Sequence, residues 1–252
     1  MLRSFYMSIE SQDDYDGITH AGRVVAEVLK AMEASVEVGI TTRALDEIGA
    51  EALRHHGARS APRMFYNCPA YNLISVNDQV VHGLPGDRTL RAGDVVKLDV
   101  TAEVNGYIAD AATTIVVAGG RESGEQLRAA AIAAFQAGCA AATAGQRVSE
   151  IGRAVERTVS ARGFSVLREL SGHGVGRRIH EEPTVANYYD PFQRDVLTEG
   201  LVLTIEPLIS ERRTTVVADA DGWTLRTRDG CLAAHHEHTL IITSGAPVIV
   251  TR

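Results

Sequence analysis

Apolar residues return at helical spacing between Asp16 and Ala34, through Ile18, Ala21, Val24, Val25, Val28, Leu29 and Met32, which predicts an amphipathic helix. Gly39 stops it. Thr41 or Thr42 can cap a second helix carrying Leu45, Ile48 and Leu53, and Gly57 closes that one. Residues 58 to 72 lose the periodicity and read as an irregular loop. Short strands are expected at Leu73 to Val76 and Gln79 to Val81. Two long β-type runs then flank Asn105-Gly106 and continue to Val117. Helical spacing comes back after Gly119-Gly120. Ser123 with Gln126 forms a capping-box pattern, and an alanine-rich helix runs to about Thr143. Gly145 stops it, Ser149 caps the next helix, and Gly163 ends that. Only strand-like runs follow: Phe164 to Leu170, Leu201 to Ile205, Trp223 to Arg228, Ala234 to Thr243 and Val248 to Val250.

The order helix, helix, β-rich segment thus occurs twice. Gly39 to Leu53 and Gly145 to Val159 share a glycine-to-cap transition and an Ile-Gly pair, Ile48-Gly49 and Ile151-Gly152. This is read as a weak internal repeat. Strands separated by turns rather than by single helices predict antiparallel sheets and an α+β fold. No linker or charge block divides the halves, so residues 1–252 are expected to form a single domain of two fused lobes. Residues 1–14 are expected to be a loosely ordered extension, with Met7 a second candidate start.

Composition narrows the function classes. The formal charge is −7 and the aromatics are 5 Phe, 7 Tyr and 1 Trp; neither suits nucleic-acid binding. Cys68, Cys139 and Cys231 are far apart and show no CxxC spacing, which suits a reducing compartment better than a disulfide framework. No run has the apolar length of a membrane span, and the first residues lack a secretory apolar core. A cytoplasmic location is expected, without a membrane partner.

The chemistry begins in the Asn105-Gly106 hairpin. Asn-Gly favours a two-residue type I′ turn. With those residues as the loop, Val104 faces Tyr107 and Asp99 lies opposite Ala112. Asp99 and Asp110 then become same-face diagonal neighbours. Two carboxylates held so close among apolar residues resist ionisation unless a cation sits between them. The bland alternative, a solvated face, fits poorly with Val95, Val96, Leu98, Val100, Ile108, Ala109 and Ala111 around them.

Three further stretches stand out. His173 lies among glycines in Ser171-Gly172-His173-Gly174-Val175-Gly176, and alone it reads equally well as a structural residue or a ligand. Glu206 ends the apolar run 201 to 205, where burial is expensive unless it is paired or metal-bound. Glu237 sits among His235, His236 and His238. Strand alternation puts His236 and His238 on the opposite face from Glu237. His235 shares its parity but has no further support, so Glu237 is taken as the functional member. Asp99, Asp110, His173, Glu206 and Glu237 make an oxygen-rich donor set suited to Mn²⁺, Fe²⁺ or Co²⁺, with Zn²⁺ also acceptable. Four carboxylates exceed the needs of one divalent ion, which predicts two ions about 3.5 to 4 Å apart sharing a water. Amide or ester hydrolysis is the chemistry such a pair serves.

The segments NDQVVHGLP, KLDV, ADAATTIVV, SGHGVGRRIHEEP, LTIEPLI, DGWTLRTRDG and EHTLIIT resemble type I methionine aminopeptidase, in order and spacing, from about Ile18 onward. The resemblance implies the pita-bread (creatinase/aminopeptidase) fold, a pseudo-twofold of two helix-helix-antiparallel-sheet lobes. It places the metal ligands on Asp99, Asp110, His173, Glu206 and Glu237, with Asp110 and Glu237 bridging. It makes His82 a group beside the substrate amine and scissile nitrogen. His180 becomes the group stabilising the oxyanion, and Glu206 the proton shuttle. Around the substrate side chain the match is looser: Cys68 and Ile179 stand where the family places aromatics, Leu73 where many members have Cys, and Trp223 is kept. The implied substrate is a peptide or nascent-chain N-terminus, met near the ribosome, and a monomer is expected. The alternatives are a same-fold hydrolase of changed side-chain specificity, a prolidase-like enzyme, or a non-catalytic peptide-binding relative.

Overall fold

The computed structural model describes residues 6–120 and 122–252. Helix α1 (Gln12–Glu33) starts a turn earlier than the periodicity alone predicts, because Ser11 caps it by accepting from the Asp14 N–H. The buried side is the expected one, from Ile18 to Met32. Helix α2 (Thr42–His55) is capped by Thr41, whose hydroxyl accepts from Ala44 N–H at 3.1 Å. Of the expected N-terminal extension, residues 1–5 lie outside the described residues. Met7 is buried, and Gln12 already belongs to α1.

Residues 58 to 72 are more ordered than the lost periodicity suggests. A two-residue strand, Arg59–Ser60, leads into a six-residue helix, α3 (Ala61–Tyr66). Pro62 sits in the first turn of α3, where its missing N–H costs nothing, and left-handed Asn67 ends it. Helices α4 (Glu122–Ala141) and α5 (Val148–Ala161) occur as predicted, but their starts differ. Ser123 lies inside α4, and Gln126 Nε2 donates to Glu122 instead of closing a capping box. Ser149 lies buried inside α5, while Arg147 precedes that helix without a side-chain cap.

The hairpin joins Val95–Val104 to Tyr107–Val116 in the expected register, Val104 opposite Tyr107 and Asp99 opposite Ala112. Asn105 and Gly106 have φ of 51° and 85°, as a type I′ turn demands. Among the described residues this hairpin belongs to a nine-stranded antiparallel sheet. Strand Tyr107–Val116 pairs with Glu237–Ile241, which pairs with Val202–Ile205, followed by Ser171–Gly174 and Glu181–Ala186. The step from the first half of the chain to the second is short: Ala112 faces Glu237 and Ala111 faces His238.

Two large apolar cores form, and the first also takes Val175, Ile179, Val202, Ile241 and Val250 from the second half. One gathers α1 and α2 residues with Leu98, Val100 and Ile108 of the hairpin, and the other gathers α4 and α5 residues with Leu203, Ile205 and Leu240. The internal repeat is visible in backbone hydrogen bonds. Gly39 N–H donates to Leu90 O, and Thr42 N–H to Arg88 O. Gly145 N–H donates to Leu197 O, and Val148 N–H to Asp195 O, in the same pattern. The Ile-Gly pairs are not equivalent positions, since Gly49 lies about one turn further into its helix than Gly152. No helix of the described residues is long and apolar enough to cross a membrane.

Candidate metal centre

The five predicted ligands meet where the two halves pair. Asp99 and Asp110 come from the hairpin, His173 from Ser171–Gly174, Glu206 from the residue after Val202–Ile205, and Glu237 from the first position of Glu237–Ile241. All five line one cavity of about 840 Å³. Threonines hold the acids in place. Thr101 Oγ1 donates to Asp110 Oδ1 at 2.9 Å, and Thr204 Oγ1 donates to Glu206 Oε1 at 3.2 Å. Thr239 Oγ1 accepts from Asp110 N–H and donates to Asp110 O, which ties the hairpin to the last long strand.

Gly172 and Gly174 flank His173 because the neighbouring backbone leaves no room. A Cβ at Gly172 would meet the Thr204 carbonyl, and one at Gly174 the Glu182 carbonyl. His173 Nδ1 lies 2.8 Å from Gly174 O. A carbonyl can only accept, so Nδ1 carries the proton and Nε2 keeps a free lone pair, 3.5 Å from Glu206 Oε1. This is the tautomer a metal-binding imidazole needs.

Burial and the Asp110 charge push the Asp99 carboxyl well above its ordinary range. Burial and the Glu237 charge do the same to Asp110. Glu237 is driven up to about 8 by burial and by Glu206. Such a set of acids is costly without a cation among them. Glu237 Oε1 has no hydrogen-bond partner although it is buried. The donor chemistry and this orphaned oxygen both fit a divalent ion.

His235, left aside for want of support, belongs to this cluster. It is 1% exposed and lines the cavity, with Nε2 3.3 Å from Glu237 Oε2 and 3.6 Å from Glu206 Oε2. Burial opposes charge on its ring, but the two carboxylates outweigh burial and push its pKa up to about 10. The signal available in the sequence was its parity with Glu237. His236 and His238 do face away, packing on Phe135 with ring centroids 5.2 and 5.0 Å from it.

His82 and His180 also line the cavity. His82 has φ of 58°, an uncommon conformation for a residue with a side chain, and burial lowers its pKa. The His180 ring lies 4.4 Å from that of His173, and its Nδ1 is 2.7 Å from the Tyr66 hydroxyl. Tyr66 comes from α3, so its approach was invisible in a segment read as loop. Leu73, Ile179 and Trp223 form part of the wall. Cys68 does not reach the cavity. It is buried behind the wall, packed with Ala70, Leu73, Leu84 and Trp223.

A model of metallopeptidase family M24 matches residues 16–244. The chain belongs to that family. It is 41% identical to methionine aminopeptidase 2 of Bacillus subtilis over 98% of this chain and 100% of the relative. It is 38% identical to methionine aminopeptidase of Clostridium perfringens over 96% and 98% respectively. The solved methionine aminopeptidase of Thermotoga maritima superposes with a TM-score of 0.94 at 33% identity, covering 98% of this chain and 100% of that one. Prolidase from Pyrococcus furiosus shares the fold at a TM-score of 0.78 and 22% identity, and this chain spans 65% of it. The common architecture is the pita-bread fold. Membership of this metallopeptidase family implies the use of divalent metal, and the cluster contains groups of acids and histidines that could hold an ion.

Proposed function

We propose that this chain is a methionine aminopeptidase, cleaving the first peptide bond of a peptide or nascent chain at the cavity where the halves meet. The observation that carries the reading is the convergence of Asp99, Asp110, His173, Glu206 and Glu237 on one cavity, with His82 and His180 also in its wall. Together with the full-length likeness to methionine aminopeptidases, this supports the activity over a prolidase-like one. A non-catalytic relative would not be expected to keep the complete donor set.

Asp99, Asp110, His173, Glu206 and Glu237 would hold two divalent ions. Mn²⁺, Fe²⁺ and Co²⁺ suit the oxygen-rich set, and Zn²⁺ is also accommodated. When bound, such ions lower the pKa of a water and polarise a carbonyl. Glu206 then takes the proton of the attacking water and passes it to the leaving amine. Tyr66 holds the His180 ring through its Nδ1, and in the tautomer that carries the proton on Nε2 this ring donates to the carbonyl oxygen as charge develops there. His82 orients the substrate amine. Leu73, Ile179 and Trp223 receive the first side chain, while Cys68 acts only by supporting Leu73 and Trp223 from behind. The work is assigned to a cytoplasmic monomer acting as chains leave the ribosome.

The test is chelation. Peptidase activity on Met-Ala-Ser should vanish with a chelator and return on adding Mn²⁺ or Co²⁺; activity indifferent to chelation refutes the reading. His180→Ala should lower kcat roughly 10²- to 10³-fold, the scale of losing one oxyanion donor, and leave Mn²⁺ affinity unchanged. The aliphatic Leu73 and Ile179 favour relaxed selectivity. A panel of X-Ala-Ser peptides checks this, and a sharp preference for methionine would overturn it.

A further inference from the structure

We infer that His235 is a second imidazole ligand of the metal centre, so that the donor set holds two nitrogens rather than one. The inference rests on the proposed metal-dependent reading of the site and goes beyond its five expected ligands. Two groups of three side chains can each bring one donor atom within 4.8 Å of the others: Asp110, His173 and Glu237, and Glu206, His235 and Glu237. Glu237 belongs to both. Each group therefore contains one imidazole, two carboxylates and a shared bridge, and the halves of the pair match in composition.

The position of His235 is built rather than incidental. Thr114 Oγ1 donates to His235 O at 2.7 Å and accepts from His235 N–H at 2.9 Å, so one hydroxyl fixes both backbone polar groups of this residue. Ala234 on one side pairs with Ile209, and Glu237 on the other pairs with Ala112, so the backbone is anchored in two sheets around the His236 break. The ring is buried, and neither nitrogen has a hydrogen-bond partner. Nε2 sits 3.3 and 3.6 Å from one oxygen of each neighbouring glutamate. Those are the separations of ligands sharing an ion with bonds near 2.1 Å. A second nitrogen also moves the site towards metals that favour imidazole, away from Mn²⁺.

The experiment loads the full chain with Mn²⁺ and counts directly coordinated imidazole nitrogens by pulsed electron paramagnetic resonance, using ¹⁵N-labelled histidine. The wild type should show two, and His235→Gln and His173→Gln one each. Calorimetry should show the affinity of His235→Gln for Co²⁺ falling at least about tenfold and further than that for Mn²⁺. One nitrogen in the wild type, unchanged in His235→Gln, overturns the inference while leaving the metal centre standing. Failure of the wild type to bind Mn²⁺ or Co²⁺ overturns the metal centre and the inference together. A wild-type count of one overturns the inference without any variant, and the loss of one nitrogen in His235→Gln assigns the second to His235.

Discussion

The two lobes reach the same cavity by different routes. The first presents Asp99 and Asp110 on a single hairpin, fixed by a two-residue turn. The second collects His173 and Glu237 from two separate strands and Glu206 from the residue that follows a third. Underneath that difference lies a common plan. Leu90, Gly93, Val95 and Asp99 recur as Leu197, Gly200, Val202 and Glu206 with the same spacing. Both strands begin at the valine, and both glycines are left-handed, with φ of 85° and 84°. One acid per lobe thus comes from an equivalent position, and the lobes diverge in how they recruit the rest. A duplicated scaffold can set the first ligand twice, while the chemistry is completed by elements that are not duplicated.

The largest expected effect breaks the equivalence at those acids. Glu206→Gln should lower kcat roughly 10²- to 10⁴-fold, the range for losing a positioned acid–base group, with the fold retained by circular dichroism. A loss confined to KM would show that Glu206 only binds. Asp99→Asn, at the matching position, should instead act mainly through metal affinity, read by calorimetry.

The next effect concerns what sits two residues earlier. The second lobe has Thr204, which holds Glu206, but the first has Lys97, buried at 1% exposure. Its ammonium donates to Asn77 O at 2.8 Å and Val95 O at 3.3 Å. Burial lowers its pKa to about 7 from 10.5. Between those values the unfolded chain binds a proton the folded chain does not, so stability should rise with pH from about 7 to 10.5. Lys97→Met should remove that rise and stabilise the protein near pH 7 by a few kcal/mol, at ~1.4 kcal/mol per pKa unit. Neither carbonyl is orphaned, since Ala233 N–H still donates to Asn77 O and Asn77 N–H to Val95 O. Urea melts across this pH range decide it, and an unchanged slope in the variant would remove the assignment.

The smallest effect sharpens the glycine pair. Gly93→Ala should cost about 1 to 2 kcal/mol, the penalty of a left-handed residue with a Cβ. Gly200→Ala should cost more, because its Cβ would also crowd Ile9 O and Ser8 Oγ, 3.1 Å away. Equal losses in thermal melts would mean that the N-terminal segment yields freely.

Local chemistry explains what could be read from the chain alone. The register of the hairpin followed from Asn105-Gly106, and the helices from their periodicity and from Thr41 and the glycines. The four carboxylates stood out because charged residues interrupt apolar strands, whereas His173 among its glycines read equally well as a structural residue. What stayed hidden depends on contacts between distant segments. A six-residue helix carries too little periodicity to detect, so Tyr66 could not be placed beside His180. Parity suggested that His235 points with Glu237, but only the sheet pairing shows that Glu206 lies on its other side. Cys68 was expected in the cavity wall, and the packing of α3 and Leu73 puts it behind that wall.

The pairing of Ala111 and Ala112 with His238 and Glu237 has a consequence during synthesis. The Thr239 hydroxyl that clasps Asp110 lies 129 residues further along the chain. A ribosome therefore releases the first two acids long before the residues that complete their surroundings. The core around α1 and α2 also takes Val202, Ile241 and Val250, so neither that core nor the cavity is complete until almost the last strand emerges.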